Sequence, residues 1–269
     1  MGLNVSEWGV NLARMLLWLL LVSAVLLPLE RRFGRDAGRK LARLGPVDLG
    51  FYFLNSLLPP LLLAWPLAAA ASLAAALRPV AWTEAVGALP PGLRPLLAFV
   101  VSEIGFYWGH RLSHQLPWLW RFHAVHHEPE HMSYMVNVRA HPVDLVFTRL
   151  MGLLPMIALG LSGSAENAMA VPVAVLVFGR VWGYVLHADV PWRWGLLSQL
   201  LATPHFHHWH HSREAPLNRN FASNLALLDR IFGSLHLPAS WPSHYGLAGD
   251  ALRPTPGWRR WLLPFQATR

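Results

Sequence analysis

The run ARMLLWLLLVSAVLLPL, residues 13–29, holds a single charge, Arg14, at its near edge. Taken from Leu12 to Leu29 it comes close to the ~20 apolar residues that an α-helix needs to cross a ~30 Å hydrocarbon core. A helix apolar all round has no face to show water, so it belongs in lipid or in a large core. Four further segments read the same way: Val47–Leu77, Pro95–Trp108, Leu145–Leu161 and Ala168–Leu186. The second is overlong and carries Pro59, Pro60 and Pro66, which predict a kinked or broken helix, because proline removes a backbone donor and clashes with the preceding turn. The first segment is followed by a strongly basic stretch and by no small-residue cleavage site, so it reads as a retained anchor and not as a signal peptide.

Composition agrees. Of 269 residues, 54% are hydrophobic and only 13% charged, against about a quarter charged in soluble domains. With 14 Trp the chain is far too apolar for disorder. The expected fold is an all-α integral membrane bundle of about five spanning or membrane-embedded segments, capped by His-rich helices on the cytoplasmic side.

The formal charge of +8 could suggest nucleic acid, but its distribution points elsewhere. Residues 30–47 carry Arg31, Arg32, Arg35, Arg39, Lys40 and Arg43; residues 109–144 carry three Arg, and 188–269 carry eight, so 17 of 22 Lys and Arg fall in these three stretches. If 30–47 is cytoplasmic, alternation puts the other two there as well. The N-terminus is then external and the C-terminus internal, as the positive-inside rule requires. The charge is spent on topology, and nucleic-acid binding drops out.

There is no cysteine, which excludes disulfides, thiolate metal sites, Fe–S clusters and a Cys nucleophile. There are 15 His. His110 and His114 (HRLSH) are four apart; His123, His126 and His127 (HAVHH) and His207, His210 and His211 (HHWHH) each sit at i, i+3, i+4. Residues at those offsets share one helix face, so each group can converge on an ion. Eight imidazoles exceed the four ligands of one structural zinc and suit two metal ions held close together. Neutral imidazole favours Fe, Cu, Zn or Ni over Mg or Ca. No GxSxG elbow and no glycine-rich phosphate loop occurs, which leaves hydrolase and nucleotide-driven chemistry without support.

Taken as a set, HRLSH, HAVHH and HFHHWHH after Thr203-Pro204 resemble the three His boxes of the sterol desaturase and fatty acid hydroxylase superfamily. Asn220-Phe221 followed by Leu228-Asp229-Arg230-Ile231-Phe232-Gly233, and Arg139-Ala140-His141-Pro142-Val143-Asp144, resemble the same family's later motifs. Leu228 stands where the family has Trp, Ala222 where it has Gly, and His205 and His208 are additional. The resemblance covers about residues 95–236. It implies a membrane-embedded non-haem enzyme with two Fe ions (zinc can replace iron on purification) that uses O2 as co-substrate to hydroxylate or desaturate a lipid. His110, His114, His123, His126, His127, His207, His210 and His211 match the box ligands, and His187 resembles a further ligand between the second and third boxes. No catalytic residue is expected beyond the metal centre.

His141, Glu103, Asp144 and Asp189 are candidate ligands or supports of ligands. Glu103 shares a helical stripe with Tyr107, His110 and His114, and could orient an imidazole or pair with Arg180. His208 projects about 100° from its neighbour His207 and is expected in solvent, while His205 is expected outside the ligand set. His131, His236 and His244 have no partner at useful spacing. Phe106, Trp108, Trp118, Trp120 and Phe122 either wall an apolar channel or form an interfacial belt.

The expected organisation is N-terminal membrane helices and a basic loop over 1–92, a His-box catalytic domain over 93–240, and a cytoplasmic tail over 241–269. Since no flavin, haem or ferredoxin motif is visible, the implied partners are the bilayer, a lipid and an external electron donor, either a reductase or a small carrier. A divalent-metal transporter, which would hold its ligands near the bilayer midplane, and a non-catalytic metal-binding scaffold are the alternatives.

Overall fold

Leu16, Leu17, Leu20, Leu21 and Val25 all face outward along the first helix, Val5–Phe33 (α1). A soluble protein would bury that surface; a bilayer takes it as it is. The computed structural model describes residues 5–35, 45–162 and 170–247. Arg39, Lys40 and Arg43 of the basic loop and residues 248–269 of the tail lie outside these. Every regular element in the described residues is helical. After α1 come Pro46–Leu77 (α2), Val80–Gly87 (α3), Leu93–Gln115 (α4), Pro117–His127 (α5), Pro142–Ala158 (α6), Ala170–His187 (α7), Pro204–His210 (α8) and Leu227–Ile231 (α9), with 3-10 turns at Tyr134–Val138 and Gly195–Gln199.

α1, α2 and α7 are each long and apolar enough to cross a membrane. α4 and α6, the other two apolar segments, run between the same two ends of the bundle. At one end, Glu30 at the close of α1 accepts from the backbone N–H of Tyr134 (2.7 Å) and of Asp189 (3.0 Å), and Arg139 just before α6 pairs with Asp48 at the start of α2. At the opposite end, Arg78 after α2 donates to Ile157 O (2.7 Å), Trp82 to Leu159 O (2.9 Å), and Arg94 at the start of α4 to Gly160 O (2.9 Å). The five helices therefore alternate in direction.

Of the kink or break expected in α2, the break is absent, since the helix runs continuously through Pro59, Pro60 and Pro66. A frayed backbone has no water to bond in lipid, so the helix persists at the cost of the missing donors. α6 packs most extensively against α4, and two glycines permit the approach. A Cβ at Gly105 would collide with the carbonyl oxygen of Met151, and one at Gly109 would stand 2.9 Å from Met151 Cβ. An apolar core fills the Arg78 end around Leu63, Leu67, Ala98, Leu153 and Met156. At the Glu30 end the packing changes: rings (Phe51, Tyr52, Tyr134 and Tyr184) surround polar chemistry.

Candidate metal centre

Four short constructions deliver the His side chains. α4 ends on His110 and His114, α5 ends on His123, His126 and His127, α7 ends on His187, and α8 carries His207 and His210 with His211 as its cap. Pro117 and Pro204 open α5 and α8 at a first-turn position where proline loses no hydrogen bond, and Thr203 caps α8 by accepting from Phe206 N–H (3.3 Å). The nine imidazoles form two groups: His110, His114, His123, His127 and His210; and His126, His187, His207 and His211. Within each group one nitrogen per ring lies within 4.8 Å of all the others. The stacked rings of His127 and His211, with centroids 4.4 Å apart, join the two groups.

The ring orientations are fixed from behind. His110 Nδ1–H donates to Phe221 O (2.7 Å), His123 to Asp144 Oδ2 (3.0 Å), His126 to Arg139 O (2.9 Å), His187 to Gly183 O (2.6 Å), His210 to Arg219 O (2.9 Å) and His114 to Asn218 Oδ1 (3.2 Å). An oxygen that only accepts assigns the proton to Nδ1 and leaves a bare lone pair on Nε2. Those lone pairs then confront one another. His110 and His123 meet Nε2 to Nε2 at 3.1 Å, and His126 and His187 at 3.1 Å. In these tautomers neither pair has a proton to share. The Nε2 atoms of His114 and His210 are buried with no partner among the described residues.

An unsatisfied buried polar atom costs about 1–3 kcal/mol, and here several crowd together. A cation in each group would satisfy them at once, and the donor set, neutral nitrogen throughout, suits iron or another transition metal. Burial also keeps these rings neutral: it pulls His126 down to about 4 and holds His127, His207, His210 and His211 well below the ordinary histidine value.

The remaining candidates sort clearly. Asp144 bonds His123 and also accepts from Ser113 Oγ (3.3 Å). His141 is the N-cap of α6, its Nδ1 accepting from Val143 N–H (3.2 Å), and stands outside both groups. Asp189 is likewise outside them, where α7 meets α1. Glu103 matches neither expectation. It is 1% exposed and accepts from Asn224 N–H (2.9 Å), Asn224 Nδ2 and Leu225 N–H (3.3 Å), fastening the loop before α9 onto α4.

His208 is a correction. It is 0% exposed, because α8 is enclosed on all sides and the face turned from the metal groups packs on Ala188 O (3.1 Å) and Tyr245 OH (3.1 Å). His205 reaches Ser240 O (2.8 Å), outside the groups as expected. His236 packs edge-on against Trp209, and His244 meets Glu214. Sequence reasoning missed the carbonyls of Phe221, Arg139, Gly183 and Arg219, which carry no side-chain signature.

Two cavities reach the groups from different sides. One, of about 210 Å³, touches His110, His123, His126, His187 and His207 and extends between α4, α6 and α7 past Phe106, Leu145, Val175 and Leu176. The other touches His114, His127 and His210 beside Trp120, Arg213 and Asn218. Of the aromatic candidates, Phe106 lines the first, Trp120 the second, and Trp118 is exposed.

Comparison with known proteins agrees with this geometry. The fatty acid hydroxylase family profile matches residues 95–234, just over half the chain and the stretch holding all nine His. The chain belongs to the fatty acid hydroxylase family. Within it, the chain is 33% identical over 154 residues to ornithine lipid hydroxylase OlsE of Rhizobium tropici, covering 55% of this chain and 44% of that protein. It is 30% identical over 156 residues to alkylglycerol monooxygenase of Danio rerio, covering 56% and 32%. It is 25% identical over 184 residues to methylsterol monooxygenase 2-2 of Arabidopsis thaliana, covering 68% and 65%. The match thus spans less than half the length of the first two relatives. No solved structure matches the chain.

Proposed function

We propose that this fatty acid hydroxylase family member is a membrane-bound oxidoreductase that uses O2 to hydroxylate a lipid, with two Fe ions held by the nine imidazoles. The observation that carries the reading is the pairing of unprotonated Nε2 atoms at about 3 Å in both His groups. Its relatives' names, a lipid hydroxylase and two monooxygenases, point to the same class of reaction. Desaturation by the same centre is the close variant, since it differs in how the substrate chain is placed.

When bound, the irons would supply O2 activation and removal of hydrogen from an unactivated C–H bond. The chain's own residues do the rest. Asp144 and the four backbone carbonyls hold five of the nine imidazoles in one tautomer and one orientation, the support that commonly governs metal affinity. Phe106, Leu145, Val175 and Leu176 give a dry wall against which an alkyl chain can lie. Net hydroxylation puts one oxygen of O2 into the lipid and the other into water. It requires two electrons and two protons, which a separate reductase or small electron carrier supplies. The cavity beside Arg213 and Trp120 is the approach left open once a lipid fills the first.

The His end faces the cytoplasm and the N-terminus lies outside, because the basic stretches flank that end. Residues 93–240 form the catalytic unit, with 1–92 as its membrane support. A divalent-metal transporter is disfavoured by the same cavity, whose Arg149 and Arg180 would repel a cation on its way through.

The test uses the iron-loaded protein in lipid vesicles with a reductant and 18O2. The expected product is a lipid heavier by one 18O atom, formed by the wild type and missing with His123→Ala. Unlabelled product, or equal labelling in the variant, would overturn the reading.

A further inference from the structure

Arg149 and Arg180 do not belong to the His groups, yet both line the cavity that reaches them. Each sits inside an apolar helix: Arg149 in PVDLVFTRLMGLLPMIA of α6, Arg180 in AVPVAVLVFGRVWGYVLH of α7. Charged groups inside membrane helices are costly and are kept for function. The two arginines share one cavity, which adds to that cost.

A structural role would show a carboxylate between or beside them, and none of the described carboxylates takes it. Glu103 lines the same cavity but is used by Asn224 and Leu225, and Asp144 is used by His123 and Ser113. Arg180 is steadied by neutral groups, donating to Ser56 Oγ (3.0 Å) with its guanidinium 5.8 Å from the Tyr52 ring centroid. Arg149 has no hydrogen-bond or ion-pair partner among the described residues, and it lines the cavity. Two forks of N–H donors facing one cavity match the oxygens of a carboxylate or phosphate.

We propose that Arg149 and Arg180 form an internal anion site that seats the head group, carboxylate or phosphate, of an amphiphilic substrate and so sets which carbon meets the His groups. This rests on the oxygenase reading for what happens at the far end of the cavity. Arg180 lies seven residues before His187, ~10 Å of helix rise, and Arg149 lies five after Asp144, the partner of His123, ~8 Å of helix rise. An anion held there leaves a stretch of several methylenes to reach the centre. Neutral lipids of equal length would lack the anchor.

The test is binding of radiolabelled dodecanoate to the full-length iron-loaded protein in nanodiscs, with dodecyl phosphate, dodecanol and inorganic phosphate as competitors. Dodecanoate and dodecyl phosphate should compete at concentrations at least tenfold below dodecanol, and inorganic phosphate should compete only weakly because it lacks the chain. Arg149→Gln should weaken dodecanoate binding at least tenfold and leave the iron content unchanged, with Arg149→Lys retaining part of the affinity. Arg149→Met should melt about 2–4 °C higher in the absence of ligand, as removal of an unpaired buried charge would give. Equal competition by dodecanol, or undiminished dodecanoate binding by Arg149→Gln, would overturn the anion site while leaving the oxygenase reading intact. Competition by inorganic phosphate at the level of dodecyl phosphate would overturn the amphiphile and leave a free-anion site. A lower melting point for Arg149→Met would mark the arginine as structural and contradict the proposal. A wild type that binds dodecanoate selectively but holds no iron would sink the oxygenase reading and leave the anion site standing.

Discussion

Leu20 in α1 is 66% exposed, whereas His208 in α8 is 0% exposed, and these two positions show how the molecule divides its side chains. α1 turns Leu16, Leu17, Leu20 and Leu21 outward, while Leu26 packs into the core. α8, PHFHHWH, buries every residue it has, four of them histidine. In water this arrangement would be inside out. In a bilayer the apolar surface of α1 needs no cover, and the scarce interior is left for groups that must be kept from lipid. The tolerance of the two helices to change should therefore be opposite in sign: α1 resists charge and accepts truncation, while α8 accepts almost nothing.

The largest effect should come from α8. His207→Ala should lower 18O incorporation into lipid at least a hundredfold, because it removes the nitrogen lying 2.9 Å from His187 and 3.1 Å from His211; activity within a few-fold of wild type would break the comparison. On α1, Leu20→Arg should cost about 2.5–3.5 kcal/mol of membrane insertion, measured by a glycosylation-mapped insertion assay. Leu20→Ala should stay within about 0.5 kcal/mol in a denaturant-melting series. Equal costs for the two Leu20 variants would mean that α1 faces protein.

Between these extremes lie residues that support without touching the centre. Asp144→Asn should weaken metal binding 10–100-fold, read by competition with a chelator, since the neutral amide can no longer serve His123 as a carboxylate does. Gly105→Ala, where a Cβ would meet the Met151 carbonyl, should destabilise the α4–α6 contact by about 1–3 kcal/mol, seen as a lower melting temperature. A neutral result there would mean the two helices can part without cost.

Much of this was legible in the sequence for one physical reason: both lipid exposure and metal chelation impose short-range patterns. The apolar runs gave five helices, and the i, i+3, i+4 spacing of HAVHH and HHWHH gave the faces that converge. What escaped depends on contacts between distant segments. His208 looked exposed because rotation about α8 was assumed to lead to water, and it leads instead to Ala188 and Tyr245. Glu103 sits on the stripe of His110 and His114 but serves Asn224, 121 positions away. The prolines of α2 promised a kink or a break by the rules of soluble helices, and lipid changes the penalty for breaking. Arg149 and Arg180, two isolated letters 31 positions apart, acquire meaning only when α6 and α7 face one cavity.

The measurement that tests the account most directly is the number of metal ions per chain in protein purified after iron-replete expression, counted by mass spectrometry for wild type, His123→Ala and His187→Ala. Two irons in the wild type are predicted, with each variant losing the ion of its own His group. No metal, a single metal in the wild type, or a count indifferent to both substitutions would contradict it.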